Sequence, residues 1–256
     1  MFTAYSDAAG GKDHGFVVVA GFVSSFDLWD RFAVDWRIAL SALGIPYVHM
    51  KAFAHYKDPY CHLKGEVEQT AHILHTLAKV ITDYSPRAFS TALSFRDFES
   101  VNQRFCLKES LRTPYAVCAF DCVHEMTAWA ARLSRQAVQC VFDEGDDGWG
   151  SVQQFAREKE FPEPISRPSR DKMRKLPSGE EYLEKGILQL QAADFLAYEL
   201  RKAVVDHGPD PPHDKYRASM KALGEGAIVH KHTGYTASQL EGFCDCFKIP
   251  RRAGVK

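Results

Sequence analysis

Residues 2–23 read FTAYSDAAGGKDHGFVVVAGFV. Two β-type runs, Phe2 to Ser6 and Phe16 to Val23, flank the turn AAGGKDHG, and this pattern predicts a hairpin. The first run ends on an acid, Asp7. The second is rich in Val and Phe and is the longest apolar run in the chain, far short of the roughly 20 residues of a membrane span.

Helical patterning follows the hairpin. Ser24 is placed as a cap with Asp27 three residues on, then Trp29, Phe32, Trp36, Leu40 and Leu43 recur at helical spacing until Gly44. A loop carrying His49, His55 and His62 precedes a second helix, from about Glu66 to Tyr84, with Val67, Ala71, Leu74, Ala78 and Ile81 on one face. Arg87 to Phe95 reads as a third strand. Thr113 with Pro114 opens a helix to about Leu133, and Ala137 to Phe142 reads as a strand running into the acidic turn DEGDDG. Ser151 to Glu160 reads as helix, 162–179 as mainly loop, and Ile187 to Val205 as the most apolar helix. Thr236 and Gln239 cap a last helix whose stripe is Leu240, Phe243, Cys244 and Phe247. The only linker-like stretches, 161–180 and 206–214, separate no two cores. The expectation is therefore one α/β domain over 1–256 with loop and helix elaborations.

Composition bounds the function. Of 256 residues, 32 are Lys or Arg and 33 are Asp or Glu, a net charge of −1. That balance excludes a general basic coat, so a polyanion must be held by a local patch. The N-terminal residues have no basic flank or long apolar core, and the seven cysteines are an odd, scattered set. These features predict a cytoplasmic chain with reduced thiols.

Three carboxylate positions point to chemistry. Asp7 and Asp143 follow strands, and Asp194 lies inside the apolar helix LQLQAADFLAYELRKAV. A carboxylate among apolar neighbours is costly to bury without compensation, and Gln191 and Tyr198 share its helix face. The turn after the late strand groups Asp143, Glu144, Asp146 and Asp147, which repel one another unless solvated or met by a cation. Carboxylates from strand ends and a packing helix suit a hard cation, Mg²⁺ or Mn²⁺. Two such ions about 4 Å apart can clamp a phosphodiester. Arg167, Arg170, Lys172, Arg174 and Lys175 form a basic stretch able to contact nucleic-acid phosphates; the basic tail Arg251, Arg252 and Lys256 reads as a solvated terminus. A rival zinc chemistry would use His49, His55, His62, the His230/His232 pair or Cys244 and Cys246, although no standard zinc spacing occurs. There is no nucleophile elbow, P-loop or dinucleotide fingerprint.

The segments AYSDAAG, GFVVVAGFV, VFDEGDDG and LQLQAADFLAYELRK together resemble the bacterial family called domain of unknown function 3800, which is similar to the ribonuclease H-like (retroviral integrase) superfamily. The resemblance runs from Phe2 to about Arg201, and the helix motif Q-x-A-D-x-x-A-Y, Gln191 to Tyr198, is its most specific part. It implies an α/β fold with a ribonuclease H-like mixed central sheet flanked by helices. It also implies metal ligation by Asp7, Asp143 and Asp194, with Glu144 as a substitute or fourth catalytic group. The implied activity is that of a metal-dependent nuclease. Two departures stand out. The family reads Asp-Glu-Ser after the first strand where this chain has Asp7-Ala8-Ala9, and two helices fall between the second and third strands. The first departure opens the alternative of a catalytically degenerate member that binds nucleic acid or a protein partner.

Overall fold

A computed structural model describes residues 2–85, 87–134, 137–146, 148–224 and 228–253. The elements, in order, are β1 (Phe2–Gly11), β2 (Phe16–Ser25), α1 (Phe26–Leu43), α2 (Met50–Ala54), α3 (Val67–Tyr84), β3 (Arg87–Ser94), α4 (Phe95–Asn102), α5 (Leu107–Leu111) and α6 (Pro114–Ser134). They continue with β4 (Val138–Asp143), α7 (Trp149–Glu158), β5 (Ile165–Arg167), β6 (Lys172–Lys175), β7 (Glu181–Glu184), α8 (Leu188–His207), α9 (Ala218–Gly224), β8 (Val229–Tyr235) and α10 (Ala237–Cys246).

The hairpin forms, but β1 is longer than the sequence suggests: it runs on through Asp7, paired across to Ala20, as far as Gly11, so Asp7 lies inside the strand and the turn is reduced to residues 12–15. The hairpin seeds a mixed six-stranded sheet of order β5-β4-β1-β2-β3-β8. β1, β2 and β3 run antiparallel to their neighbours in the meander, while β4 is parallel to β1, β5 to β4, and β8 to β3. β2 sits near the centre and is covered on both faces, which explains its unbroken apolar run. Val17, Val19 and Val23 join one core with α6, while Val18, Ala20 and Phe22 join a second core with α8 and α1. Gly21 is required here: a Cβ would stand 2.2 Å from the Tyr5 carbonyl oxygen on β1.

The small residues Ala192, Ala193 and Ala197 are fully buried and let α8 lie close against β1 and β2. Gln191 is also buried. Its Oε1 accepts from Trp36 Nε1 (3.1 Å) and the Val48 amide (2.9 Å), and its Nε2 donates to the Ser169 carbonyl (3.1 Å). One side chain thus ties α8 to α1 and to two loops.

Several sequence expectations are corrected. The cap of α1 is Ser25, which accepts from the Leu28 amide, whereas Ser24 is buried and donates to the Tyr84 carbonyl. The buried stripe of α3 is Ile73, Leu77, Ala78 and Ile81; Val67 is 73% exposed. The stretch 162–179 is mainly loop, but it also supplies the edge strand β5 and the first arm of the β6–β7 hairpin. The segment 206–214 is no free linker: a Cβ on Gly234 of β8 would meet the Pro209 carbonyl at 2.2 Å. No helix among the described residues is long and apolar enough to cross a membrane.

Candidate functional site

Strand parity brings Asp7, inside β1, and Asp143, at the end of β4, together. On β1, Ala4 and Ala8 face the α6 core, and Tyr5 and Ala9 face the α8 core, so Asp7 projects toward α8. On β4, Cys140 and Phe142 face α6, so Asp143 also projects toward α8. The parallel register pairs Tyr5 with Val141 and Ser6 with Phe142, so Asp7 and Asp143 stand side by side at the next step. Asp194 descends on them from α8, one turn after Gln191.

Each carboxylate has a fixed orientation. Asp143 Oδ2 accepts from the Ser169 hydroxyl (2.6 Å), and its Oδ1 accepts from the Ser169 amide (3.0 Å) and the Glu144 amide (2.9 Å). Asp194 Oδ2 accepts from the Met50 amide (2.7 Å). Asp7 Oδ1 accepts from the Ala8 amide (2.7 Å).

The electrostatics are those of a site short of positive charge. Desolvation, then the charges of Asp194, Asp143 and Asp146, hold the Asp7 carboxyl well above the usual carboxylate range. Desolvation raises Asp194 to about 7; the Met50 amide opposes this, Asp143 adds to it, and Arg170 opposes it. Asp146, raised to about 6 by desolvation and by Asp143, belongs to the same field. Like charges held in a desolvated crevice favour a bound cation over three or four protons. The donor set, all carboxylate oxygen, fits Mg²⁺ or Mn²⁺.

The oxygens of Asp7, Asp143 and Asp194 do not all lie within 4.8 Å of one another. A single Mg²⁺ holds oxygens at about 2.1 Å. To hold one such ion the three groups would have to close in; as they stand they would suit two ions about 4 Å apart.

The remaining sequence candidates separate. Glu144 is engaged by Lys172 Nζ (2.5 Å) and by Arg174, and Arg174 also bonds Glu184 (2.6 Å). Two of the five basic side chains are thus spent on the hairpin, and Arg167 donates to the Ser166 carbonyl. Arg170 lies beside the carboxylates, stacked over Tyr47 with 5.3 Å from guanidinium to ring centroid. Lys175 is exposed at the end of β6. Asp147, Lys256 and residues 225–227 lie outside the described residues.

His49 is an electrostatic neighbour of the group. Desolvation and then Arg170 lower its pKa, and Asp143 opposes them. Its place is set by the loop, since its amide donates to the Tyr60 hydroxyl (3.1 Å), which donates to the Tyr47 carbonyl (2.7 Å). Sequence reasoning had no means to find Ser169, because it reaches Asp143 across 26 residues of chain.

The rival histidine set does not assemble. His230 Nε2 and His232 Nδ1 both contact Ser90 Oγ, at 2.7 and 2.8 Å, and His232 Nε2 contacts the Pro209 carbonyl (2.7 Å). Cys244 is buried and Cys246 exposed. Among the described residues, the one group with three ligand atoms mutually within 4.8 Å is Asp121, His124 and Glu125 on α6. Its acids are already partnered: Thr91 and Tyr235 donate to Asp121 (2.8 and 3.0 Å), and Lys231 pairs with Glu125 (2.5 Å).

No protein-family model, curated protein or solved structure matches this chain.

Proposed function

We propose that the chain is a metal-dependent phosphodiesterase acting on nucleic acid, with a ribonuclease H-like core. The observation that carries this reading is the convergence of Asp7 and Asp143, from adjacent parallel strands, with Asp194 from the helix above them. The strand order, with β4 and β5 added parallel beside an antiparallel β1–β2–β3 meander, supports the fold assignment.

Asp7, Asp143 and Asp194 would hold the cations. Bound Mg²⁺ or Mn²⁺ supplies Lewis acidity toward the phosphate oxygens. Ser169 and the Met50 amide orient two of the carboxylates, a positioning role that typically contributes 10- to 100-fold. Arg170 is placed to meet a phosphate. His49, kept neutral by its lowered pKa, offers a ring nitrogen that accepts a proton.

Metal-dependent cleavage of nucleic acid is the test. Asp194→Asn should reduce it by at least about a hundredfold; full cleavage in that variant would refute the assignment. A second reading, a non-catalytic binder of nucleic acid or protein, is favoured by Ala8 and Ala9, which leave no carboxylate after Asp7. Nucleic-acid binding without cleavage at any Mn²⁺ concentration would select it.

A further inference from the structure

We propose that the cleft next to these carboxylates, on the α6 side of the sheet, holds the base and phosphate of one unpaired nucleotide, making single-stranded nucleic acid the substrate class of the site. This rests on the nucleic-acid reading above and narrows it. The cleft has a volume of about 360 Å³ and runs from the end of β1 to the start of α6, a size suited to a small ligand. Its walls include the partly exposed Phe95, backed by the buried Val17, Phe98 and Pro114, an apolar lining with one aromatic ring open for a base to stack on.

Cations guard its mouth. Lys12 and Arg112 are exposed and paired with no acid among the described residues. Lys108 pairs with Glu99 at 2.7 Å, which neutralises one of the two acids that line the cleft, the other being Asp146. The positive end of α6 opens on the same space, through Pro114 and Tyr115.

A second, independent feature asks for a ligand. Tyr115 lines the cleft and is only 6% exposed, yet its hydroxyl has no hydrogen-bond partner. Unpaired buried hydroxyls are costly and uncommon. Desolvation first, then the charges of Asp146, Asp7 and Asp143, hold the proton on this hydroxyl, so it stays a hydrogen-bond donor for a ligand oxygen. Asp146 lines the cleft too and can accept from a sugar hydroxyl or base amine. Ala8 joins the two regions, lining the cleft while its amide orients Asp7. A base can enter such a walled cleft only out of the stack, which duplex resists.

The test is fluorescence anisotropy in EDTA, with a labelled oligothymidylate of about eight nucleotides, a blunt duplex of equal length, and inorganic phosphate as competitor. The single strand should bind at least about tenfold tighter than the duplex. Lys12→Glu and Arg112→Glu, both surface changes, should each weaken it by about tenfold, and Tyr115→Phe by about threefold. Equal affinity for duplex, indifference to both charge reversals, or complete displacement by millimolar phosphate would overturn the proposal. Loss of cleavage with this binding pattern intact would count against the metal centre alone.

Discussion

Two helices cross opposite faces of the sheet, and each carries an aspartate inside an apolar stretch: Asp121 in α6, within CAFDCV, and Asp194 in α8, within QAADFLA. The local sequence signal is the same, and desolvation raises the carboxyl pKa in both. What differs is the partner set supplied by other elements. Asp121 meets two hydroxyl donors, Thr91 on β3 and Tyr235 on β8, and its acidic neighbour Glu125 has Lys231. Asp194 meets one amide and the field of Asp143, in the same crevice as Asp7. The tighter cluster is electrostatically finished, and the looser one is not. On the proposed reading, charge left uncompensated marks the cation site better than closeness of ligand atoms does.

The sharpest way to break that comparison is to truncate each aspartate in turn. Asp121→Ala strands two buried hydroxyls and should cost about 2–3 kcal/mol, a fall in melting temperature of roughly 4–12 °C for a chain of this size. Asp194→Asn removes a repelled charge and should leave the metal-free protein as stable as the wild type or more so. Thermal unfolding with and without Mn²⁺ checks both halves. Mn²⁺ should raise the melting temperature of wild type and of Asp121→Ala, and should leave that of Asp194→Asn unchanged. A Mn²⁺ response lost in Asp121→Ala but kept in Asp194→Asn would transfer the metal site to α6.

The sequence carried the existence of the hairpin and of the long helices, because each depends on local period, although it ended β1 too early and placed the cap of α1 one residue too soon. It did not carry β8, whose residues VHKHTGY have no apolar alternation. β8 is an edge strand, and its histidines are satisfied by Ser90 and Pro209 instead of by burial in a core. Asp121 shows the same pattern as Asp194, a carboxylate inside an apolar helix, but its helix carries no motif like the Q-x-A-D-x-x-A-Y of α8. Ser169 and the Met50 amide were illegible because each reaches its carboxylate through tertiary structure, the latter across 144 residues. The basic stretch was legible as charge but not as role. Glu144 and Glu184 neutralise part of it, and that pairing depends on a hairpin too short and polar to announce itself.

A smaller effect sharpens the same contrast through pH. Asp194 has a raised pKa in the folded chain, about 7 against an ordinary value of 3.8. Between those values the folded state holds a proton that the unfolded state has released, so stability falls as pH rises. The favourable contribution is complete below about 4 and lost above about 7. The buried His230 and His232, with lowered pKa values, give the opposite slope over part of this range. They are common to wild type and Asp194→Asn, and cancel in the difference between the two. In EDTA, wild type should therefore lose stability relative to Asp194→Asn as pH rises from 4 to 7. Denaturant titrations across that range check it, and a constant or opposite difference would mean that Asp194 is compensated as fully as Asp121. Saturating Mn²⁺ should reverse the trend, because the ionised carboxylates then have a partner.

The smallest expected effect concerns the cation that completes the α6 cluster. Lys231 pairs with Glu125 at 2.5 Å, but its side chain is 41% exposed. Solvent screens such pairs, which typically contribute about 0.2–1 kcal/mol. Lys231→Met keeps most of the aliphatic stem and removes the charge, so it isolates that contribution. It should lower the melting temperature by no more than about 1–4 °C. It should also leave the Mn²⁺ response unchanged, since Asp121 keeps its bonds to Thr91 and Tyr235. A new Mn²⁺- or Zn²⁺-dependent rise in melting temperature in this variant would show that Lys231 occupies the place of a metal. The two aspartates would then differ by one lysine rather than by the full set of partners around them.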